Sequence, residues 1–183
     1  MKKAILFVSF FLVISAYTNA QLAVTKMFGK NADKVNLGYG GFVGLTIPIG
    51  NSENKSIKLE IVDFSIFPLK KQLVSDTIEI GYVSIKAGYK YVFSETKTGF
   101  YVEPQIGWCK VFTESTKTYG DNLPSSKEGI ALAFEAGYSL EVGQRGNSFD
   151  FGLKYETDIA GKYFTISSLG LKVAYNFHLF KSR

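Results

Sequence analysis

Residues 169–180 alternate between two kinds of side chain, and this pattern constrains the fold more than any other feature of the chain. Leucine, valine, tyrosine and phenylalanine occupy the odd positions from 169 to 179, whereas glycine, lysine, alanine, asparagine and histidine occupy the even positions from 170 to 178. A period of two is the side-chain period of a β-strand. An apolar face with aromatic residues, backed by a face that carries Lys172 and His178, is typical of a strand between lipid and a polar interior.

The first 20 residues have the three-part order of a cleaved secretory signal. Lys2 and Lys3 precede an apolar run over residues 4–16, and small residues end the segment at Ala20. The run is too short for a membrane-spanning helix, which needs about 20 apolar residues. We therefore expect a signal peptide over residues 1–20 and one domain over residues 21–183. No later stretch is long and apolar enough for a spanning helix, so a membrane location requires a closed barrel.

Composition excludes several classes of function. The formal net charge of +5 falls to +3 without the two signal lysines, and the basic residues do not cluster, so nucleic acid is not expected as a partner. Cys109 is the single cysteine, which leaves no disulfide framework and no paired metal-ligand spacing. We expect neither a metal nor a cofactor. The 18 glycines, 11 tyrosines and 16 phenylalanines suit twisted strands with aromatic girdles.

Eight alternating segments follow one another along the chain. They are predicted at residues 21–29, 36–49, 56–67, 78–93, 99–112, 128–141, 148–156 and 165–180. The connections at 50–54, 94–98 and 143–147 are short, and those at 30–35, 68–77, 113–127 and 157–164 are longer. Short periplasmic turns that alternate with longer outer loops are typical of bacterial barrels. The sequence therefore predicts an all-β fold, an eight-stranded antiparallel up-and-down transmembrane β-barrel.

Two segments interrupt their own alternation. In the third, Ile61 and Val62 are both apolar and shift the apolar series by one position. A β-bulge there would turn Asp63 into the lumen, whereas an unbroken register would place this carboxylate in lipid at a cost. In the fourth segment the apolar series changes position between Tyr82 and Val83, which indicates a second break.

The polar faces of the segments define a candidate lumen. We predict that a charge network fills it, formed by Lys58, Glu60, Asp63, Lys86, Lys90, Glu103, Glu135, Asp150, Lys154, Glu156, Lys172 and His178. Buried charges persist only when they are paired, and an eight-stranded barrel is just wide enough for its own side chains to fill it. The favoured interpretation is a salt-bridged plug. The alternative is an ion path or a ligand cavity.

The closing segment carries a motif that resembles one known family. Its residues Lys172, Ala174, Tyr175, Phe177, Leu179 and Phe180 are similar to the aromatic-rich assembly signal of small outer-membrane β-barrels, the class of eight-stranded barrels that includes OmpA and OmpX. The resemblance covers nearly all of residues 21–183. It implies a monomer in the outer membrane of a Gram-negative bacterium, with lipid, lipopolysaccharide and the barrel assembly machinery as partners.

No catalytic site is predicted. His178, the single histidine, falls near the periplasmic end of the last segment, whereas Ser167 and Ser168 fall toward the other end. A nucleophile needs such a base within reach, so His178 is expected to be structural. As an implication of the resemblance, lipid-modifying barrels place their catalytic residues toward the outer leaflet, the end opposite His178.

The expected function is a non-enzymatic envelope protein with a structural or surface-interaction role. Loop 113–127 is the candidate site for a surface ligand or another envelope protein, because recognition usually resides in loops on a rigid scaffold. Two alternatives remain open. One is a narrow channel or transporter for small solutes or apolar ligands, and the other is a soluble secreted barrel of lipocalin type.

Overall fold

A computed structural model describes residues 18–29, 32–50, 54–70, 78–115, 126–142, 147–161 and 165–177. Eight strands form within these ranges: β1 (Thr18–Phe28), β2 (Gly38–Pro48), β3 (Lys55–Pro68), β4 (Ile78–Val92), β5 (Gly99–Ser115), β6 (Ser126–Val142), β7 (Asn147–Ile159) and β8 (Thr165–Asn176). Each strand is antiparallel to the next, and β1 also pairs with β8, so the sheet closes into a barrel. The predicted fold class is confirmed. The described residues include no helix long and apolar enough to cross a membrane.

The two ends of the barrel differ in their connections. At one end, here called the turn end, β2 meets β3 through a tight hairpin in which the Ile49 amide donates to the Lys55 carbonyl over 2.9 Å. Gly50 in this hairpin has φ of 65°, which favours glycine. At the other end, the loop end, pairing continues past β2 and β3 because Val35 forms a bridge with Leu69.

Several strands extend beyond their predicted bounds. β7 continues to Ile159, so residues 157–159 are strand and the prediction of a loop from 157 is wrong. β5 ends at Ser115 and β6 begins at Ser126, which reduces the predicted loop 113–127 to residues 116–125, outside the described residues. β1 begins at Thr18, where its first residues pair with β2, and residues 1–17 of the expected signal lie outside the described ranges.

The bulge in the third segment is confirmed. Val43 pairs with Val62 while the next residue of β2, Gly44, pairs with Glu60, so Ile61 is an extra residue. The side chains of Ile61 and Val62 are 40% and 48% exposed, and both lie on the outer face, whereas Asp63 is 4% exposed. The bulge therefore brings Asp63 into the lumen without turning an apolar residue inward.

The prediction of a second break, in the fourth segment, is wrong. The register between β4 and β5 continues without a shift through Tyr82, which is buried inside the barrel. Ile80 and Tyr82 instead belong to an apolar cluster near the loop end, here called the apolar cap. Its buried members are Met27, Val35, Phe67, Tyr82, Val111, Ala160 and Ile166. The Tyr82 ring packs among these apolar side chains, and its hydroxyl donates to Glu156 over 3.2 Å, so an aromatic residue is stable on the inner face of β4.

The outer surface is apolar around the barrel. Exposed side chains such as Leu22, Ile106, Leu153 and Leu171 form a belt in the middle of the strands. Aromatic pairs lie nearer the turn end, among them Tyr91 with Phe93, Phe100 with Tyr138, and Tyr175 with Phe149 and Phe177, at centroid distances of 4.4 to 5.2 Å. An apolar belt bordered by aromatic residues is the outer surface of a transmembrane barrel.

Replacing Leu153 by arginine tests whether the belt contacts lipid. Leu153 lies at mid-height and Leu140 near the turn end, and the two side chains are 46% and 44% exposed. We expect Leu153→Arg to lower the free energy of unfolding by about 2–4 kcal/mol and the control Leu140→Arg by about 0–1 kcal/mol. Urea unfolding in phospholipid vesicles measures both. Equal effects would contradict a lipid-facing belt, since an aqueous surface tolerates arginine at either position.

Candidate functional site

The lumen of the barrel holds a dense set of charged side chains, and strand alternation brings them there. Lys58 and Glu60 point inward from β3, Lys86 and Lys90 from β4, and Lys172 from β8, and all of them are buried. Glycines on the wall make room for them. A Cβ on Gly152 would lie 2.7 Å from the Tyr101 hydroxyl and 2.9 Å from Glu135 Oε1, so a larger residue there would displace both.

Two lysines and three carboxylates form a central cluster. Lys154 Nζ lies 2.6 Å from Asp63 Oδ2, 2.9 Å from Glu156 Oε2 and 3.3 Å from Glu60 Oε2. Lys86 Nζ contacts the same three residues, with Glu60 Oε2 at 3.2 Å. Each carboxylate therefore contacts two ammonium groups, and the five side chains form one network across the lumen.

A second layer lies between the central cluster and the turn end. Lys58 pairs with Glu103 at 3.4 Å, and Lys172 pairs with Glu135. Tyr101 donates its hydroxyl hydrogen to Glu135, and the Gln105 amide donates to Glu103 and, over 2.9 Å, to Glu60. Gln105 thus connects this layer to the central cluster.

Phe42 contributes an aromatic face to the second layer. The ammonium groups of Lys58 and Lys172 lie 4.8 Å and 4.9 Å from the centroid of its buried ring. Both distances are within the range of cation–π attraction, which is stronger where water is excluded. Sequence reasoning missed Phe42, although its place on the glycine-rich face of the second segment is a signal that could have revealed it.

A third layer borders the turn end. Lys90 pairs with Asp150 at 2.6 Å, and its ammonium lies 4.3 Å from the centroid of the Tyr101 ring. The Asn176 side-chain amide donates to Asp150 Oδ2 over 2.9 Å and to Ser148 Oγ over 3.0 Å. Three successive layers of paired charge therefore occupy the lumen from the turn end to its middle.

The structure places eleven of the twelve predicted network residues inside the lumen, all of them buried: Lys58, Glu60, Asp63, Lys86, Lys90, Glu103, Glu135, Asp150, Lys154, Glu156 and Lys172. His178 lies outside the described residues. Of the residues assigned to the assembly signal, Lys172 and Ala174 are buried inside the barrel, whereas Tyr175 and Phe177 lie on the outer surface. Leu179 and Phe180 lie outside the described ranges.

Asp158 is the lumenal charge that sequence reasoning missed. It is 0% exposed and forms no salt bridge with a described lysine, and the Cys109 thiol is its hydrogen-bonding neighbour. The sequence analysis assigned it to a loop because the seventh segment was ended at Glu156. The polar series Asp150, Lys154 and Glu156 continues to Asp158 at even positions, and that continuation was the available signal.

Glu60, Glu103 and Glu135 place one oxygen each within 4.8 Å of one another, a spacing that a metal ion could use. All three are already ion-paired, with Lys154, Lys58 and Lys172. The three ammonium groups already balance the charge of these carboxylates. This trio is therefore a set of salt-bridge acceptors.

Comparisons with known proteins were made by sequence and by structure. No protein-family model matches the sequence, and no curated protein matches it significantly. The solved structure of Neisserial surface protein A aligns with 89% of this chain and 96% of its own, with 18% identity and a TM-score of 0.64. Ail, the attachment invasion locus protein of Yersinia pestis, solved with the heparin analogue sucrose octasulfate, aligns over 88% of this chain and 96% of its own, with 13% identity and a TM-score of 0.53.

The chain has the fold of the small outer-membrane β-barrels. At these identities the likeness establishes the fold alone. The outward-facing apolar belt independently requires lipid, and it agrees with the predicted outer-membrane location. The three layers of paired charge described above are consistent with this fold, because the interior of an eight-stranded barrel is just wide enough for side chains to fill it.

Replacing Lys172 by methionine tests whether the charge layers stabilise the barrel. The change leaves the buried Glu135 carboxylate without its ammonium partner, and we expect the free energy of unfolding to fall by about 3–5 kcal/mol. The double variant Lys172→Met/Glu135→Gln removes both charges and should recover most of the loss. Lys55→Met, at an exposed position, is the control and should change stability by less than about 0.5 kcal/mol.

Urea unfolding in detergent micelles measures all three variants. A loss for Lys172→Met no larger than that for Lys55→Met would contradict a structural role of the buried pair.

Proposed function

We propose that the chain is a non-conducting, non-enzymatic barrel of the outer membrane with a structural or surface-interaction role. The observation that carries this proposal is the filled lumen. The central cluster spans the interior at mid-height, and each of its five charged side chains has at least two ionic partners. A continuous pore would need that network to open, at the cost of separating buried charges.

The apolar cap supports closure at the loop end. Phe67 and Tyr82 pack there with their ring centroids 6.4 Å apart, and both are buried. An ion entering from the loops would meet this cap before it reached the central cluster. Two successive barriers of different chemistry favour a plug over the narrow channel that was the first alternative.

The orientation of the side chains argues against the lipocalin alternative. A lipocalin encloses an apolar ligand and so directs apolar side chains inward. Here Leu22, Phe134 and Leu171 point outward, whereas lysines and carboxylates point inward. Water is a poor environment for such an outer surface, because a large continuous apolar area promotes association.

We propose that the chain is not an enzyme. The charged lumenal groups brought together in the described residues are, with the exception of Asp158, lysines and carboxylates joined in ion pairs. Cys109 is buried within the barrel and has no access to an outside substrate. His178 is proposed to have a structural role, as the sequence suggested.

The surface role is assigned to the loop end. The described rim there exposes Lys34, Lys70 and Lys127, and the Lys70 amide donates to the Lys34 carbonyl, which holds these two residues side by side. Exposed lysine ammonium groups attract phosphate and sulfate groups. Lipopolysaccharide phosphates or an anionic surface ligand are the proposed partners, and the sulfated heparin analogue bound to Ail is a precedent for the second.

The two ends of the chain are assigned to export and to assembly. Residues 1–20 are proposed to be a secretory signal, and the end of β8 is proposed to be the segment that the barrel assembly machinery recognises. Lys172 is buried in the closed barrel, so recognition of that residue has to precede closure. The folded protein is proposed to be a monomer.

Planar bilayer recordings of the purified, refolded barrel test closure. We expect no stable conductance steps, because the central cluster and the apolar cap both block the lumen. A variant in which Lys86→Ala and Phe67→Ala remove part of each barrier should increase the frequency of openings if it folds. Steady, ion-selective steps of the wild-type protein that are lost on altering Lys86 or Glu103 would contradict the proposal and favour a channel.

A further inference from the structure

A small internal cavity lies between the central cluster and the apolar cap. Seven residues that line it have side-chain oxygens: Gln21, Thr25, Asp63, Ser65, Tyr82, Glu156 and Ser168. Lys154 contributes the ammonium group on its wall. Its volume of about 10 Å³ gives room for about one occupant the size of a water molecule.

Two of the lining oxygens have no partner. Gln21 Oε1 and Thr25 Oγ1 are buried and make no hydrogen bond within the described part of the barrel. Buried polar atoms in native proteins are almost always satisfied by protein, water or an ion. Both residues face the cavity from β1, so an occupant with affinity for oxygen is required there.

The charge balance of the lumen indicates that the occupant carries a positive charge. Among the described residues, five buried lysines face seven buried carboxylates. Lys58, Lys90 and Lys172 pair with Glu103, Asp150 and Glu135 in the two layers nearer the turn end, which are neutral. The remaining set is Lys86 and Lys154 against Glu60, Asp63, Glu156 and Asp158. Asp63 and Glu156, two carboxylates of this set, line the cavity, whereas Asp158 lies outside its lining, so part of the excess negative charge borders the cavity.

We propose that this cavity binds one small, hard, singly charged cation of the size of Na⁺. Carboxylate, amide and hydroxyl oxygens are the ligands that such cations prefer. A water molecule would satisfy Gln21 and Thr25 but would leave the charge excess uncompensated in a lumen where buried charge is costly. The ammonium of Lys154 on the cavity wall favours one positive charge over two, because repulsion grows with the charge of the ion.

The test compares the stability of the folded barrel in NaCl and in choline chloride at equal ionic strength. The choline cation is too large for the cavity, so the wild-type unfolding midpoint should be higher in NaCl and should saturate with concentration. Thr25→Val removes one ligand oxygen without changing side-chain shape. It should raise the half-saturating Na⁺ concentration about tenfold, the effect of losing roughly one good ligand contact.

The same variant discriminates between an occupied and an empty site. In choline chloride, Thr25→Val should be at least as stable as the wild type, since it removes a buried oxygen with no partner. Ser168→Ala, on β8, is the second ligand variant in case Thr25→Val does not fold. Ser139→Ala removes a buried hydroxyl outside the cavity and should keep the full difference between NaCl and choline chloride.

About one equivalent of sodium retained by the wild-type barrel after refolding in NaCl and desalting, reduced by Thr25→Val and retained by Ser139→Ala, would show the ion directly. Equal wild-type stability in the two salts would overturn the proposal and leave a water molecule as the occupant. Stabilisation by CaCl₂ that exceeds that by NaCl, and that Thr25→Val removes, would overturn the assignment of a singly charged ion.

Discussion

Strand alternation turns charged side chains away from lipid and into the barrel. Inside a barrel of eight strands these side chains need partners, and this constraint determines how the interior is arranged. An eight-stranded barrel is too narrow to hydrate them individually, so unpaired charges inside it are costly. Lys86 and Lys154 satisfy the condition together, because both contact Glu60, Asp63 and Glu156. Glycines of the barrel wall make room for the buried charges, and further layers of paired charge lie between that cluster and the turn end. Together they close the lumen.

The bulge in β3 shows how a backbone irregularity serves the charge network. Without the extra residue Ile61, the register after Glu60 would turn Asp63 toward lipid and bring an apolar neighbour inward. With the bulge, Asp63 reaches both Lys86 and Lys154. One local change in strand geometry therefore keeps Ile61 and Val62 in the apolar belt and places Asp63 in the central cluster.

The sequence predicted the architecture because alternation encodes it locally. Strand number, the inward and outward faces, and the bulge before Asp63 all follow from the period of two and its interruption. The lumenal pairs could not be predicted, since they join strands far apart in the chain: Lys154 bonds to Glu60 across 94 positions. Their identity depends on the closed barrel bringing β3 and β7 to the same level.

The errors in the sequence analysis have two physical causes, a change in lumen polarity along the barrel axis and a strand that is longer than its alternation suggested. Tyr82 was read as a break in register because the lumen was taken to be polar throughout, whereas the apolar cap accommodates it near the loop end. Asp158 was assigned to a loop because its strand was ended too early. Alternation reports which face a residue occupies, and it carries no information about depth within the barrel.

The central claim is that lysine ammonium groups in the lumen are paired and sealed from water. The most direct measurement is ¹⁵N NMR of lysine side-chain ammonium groups in the barrel reconstituted in lipid nanodiscs, with single-site variants for assignment. The account predicts slow hydrogen exchange with solvent for Lys58, Lys86, Lys154 and Lys172, and fast exchange for the exposed Lys55. Fast exchange at all of these lysines would show a hydrated lumen and contradict the account.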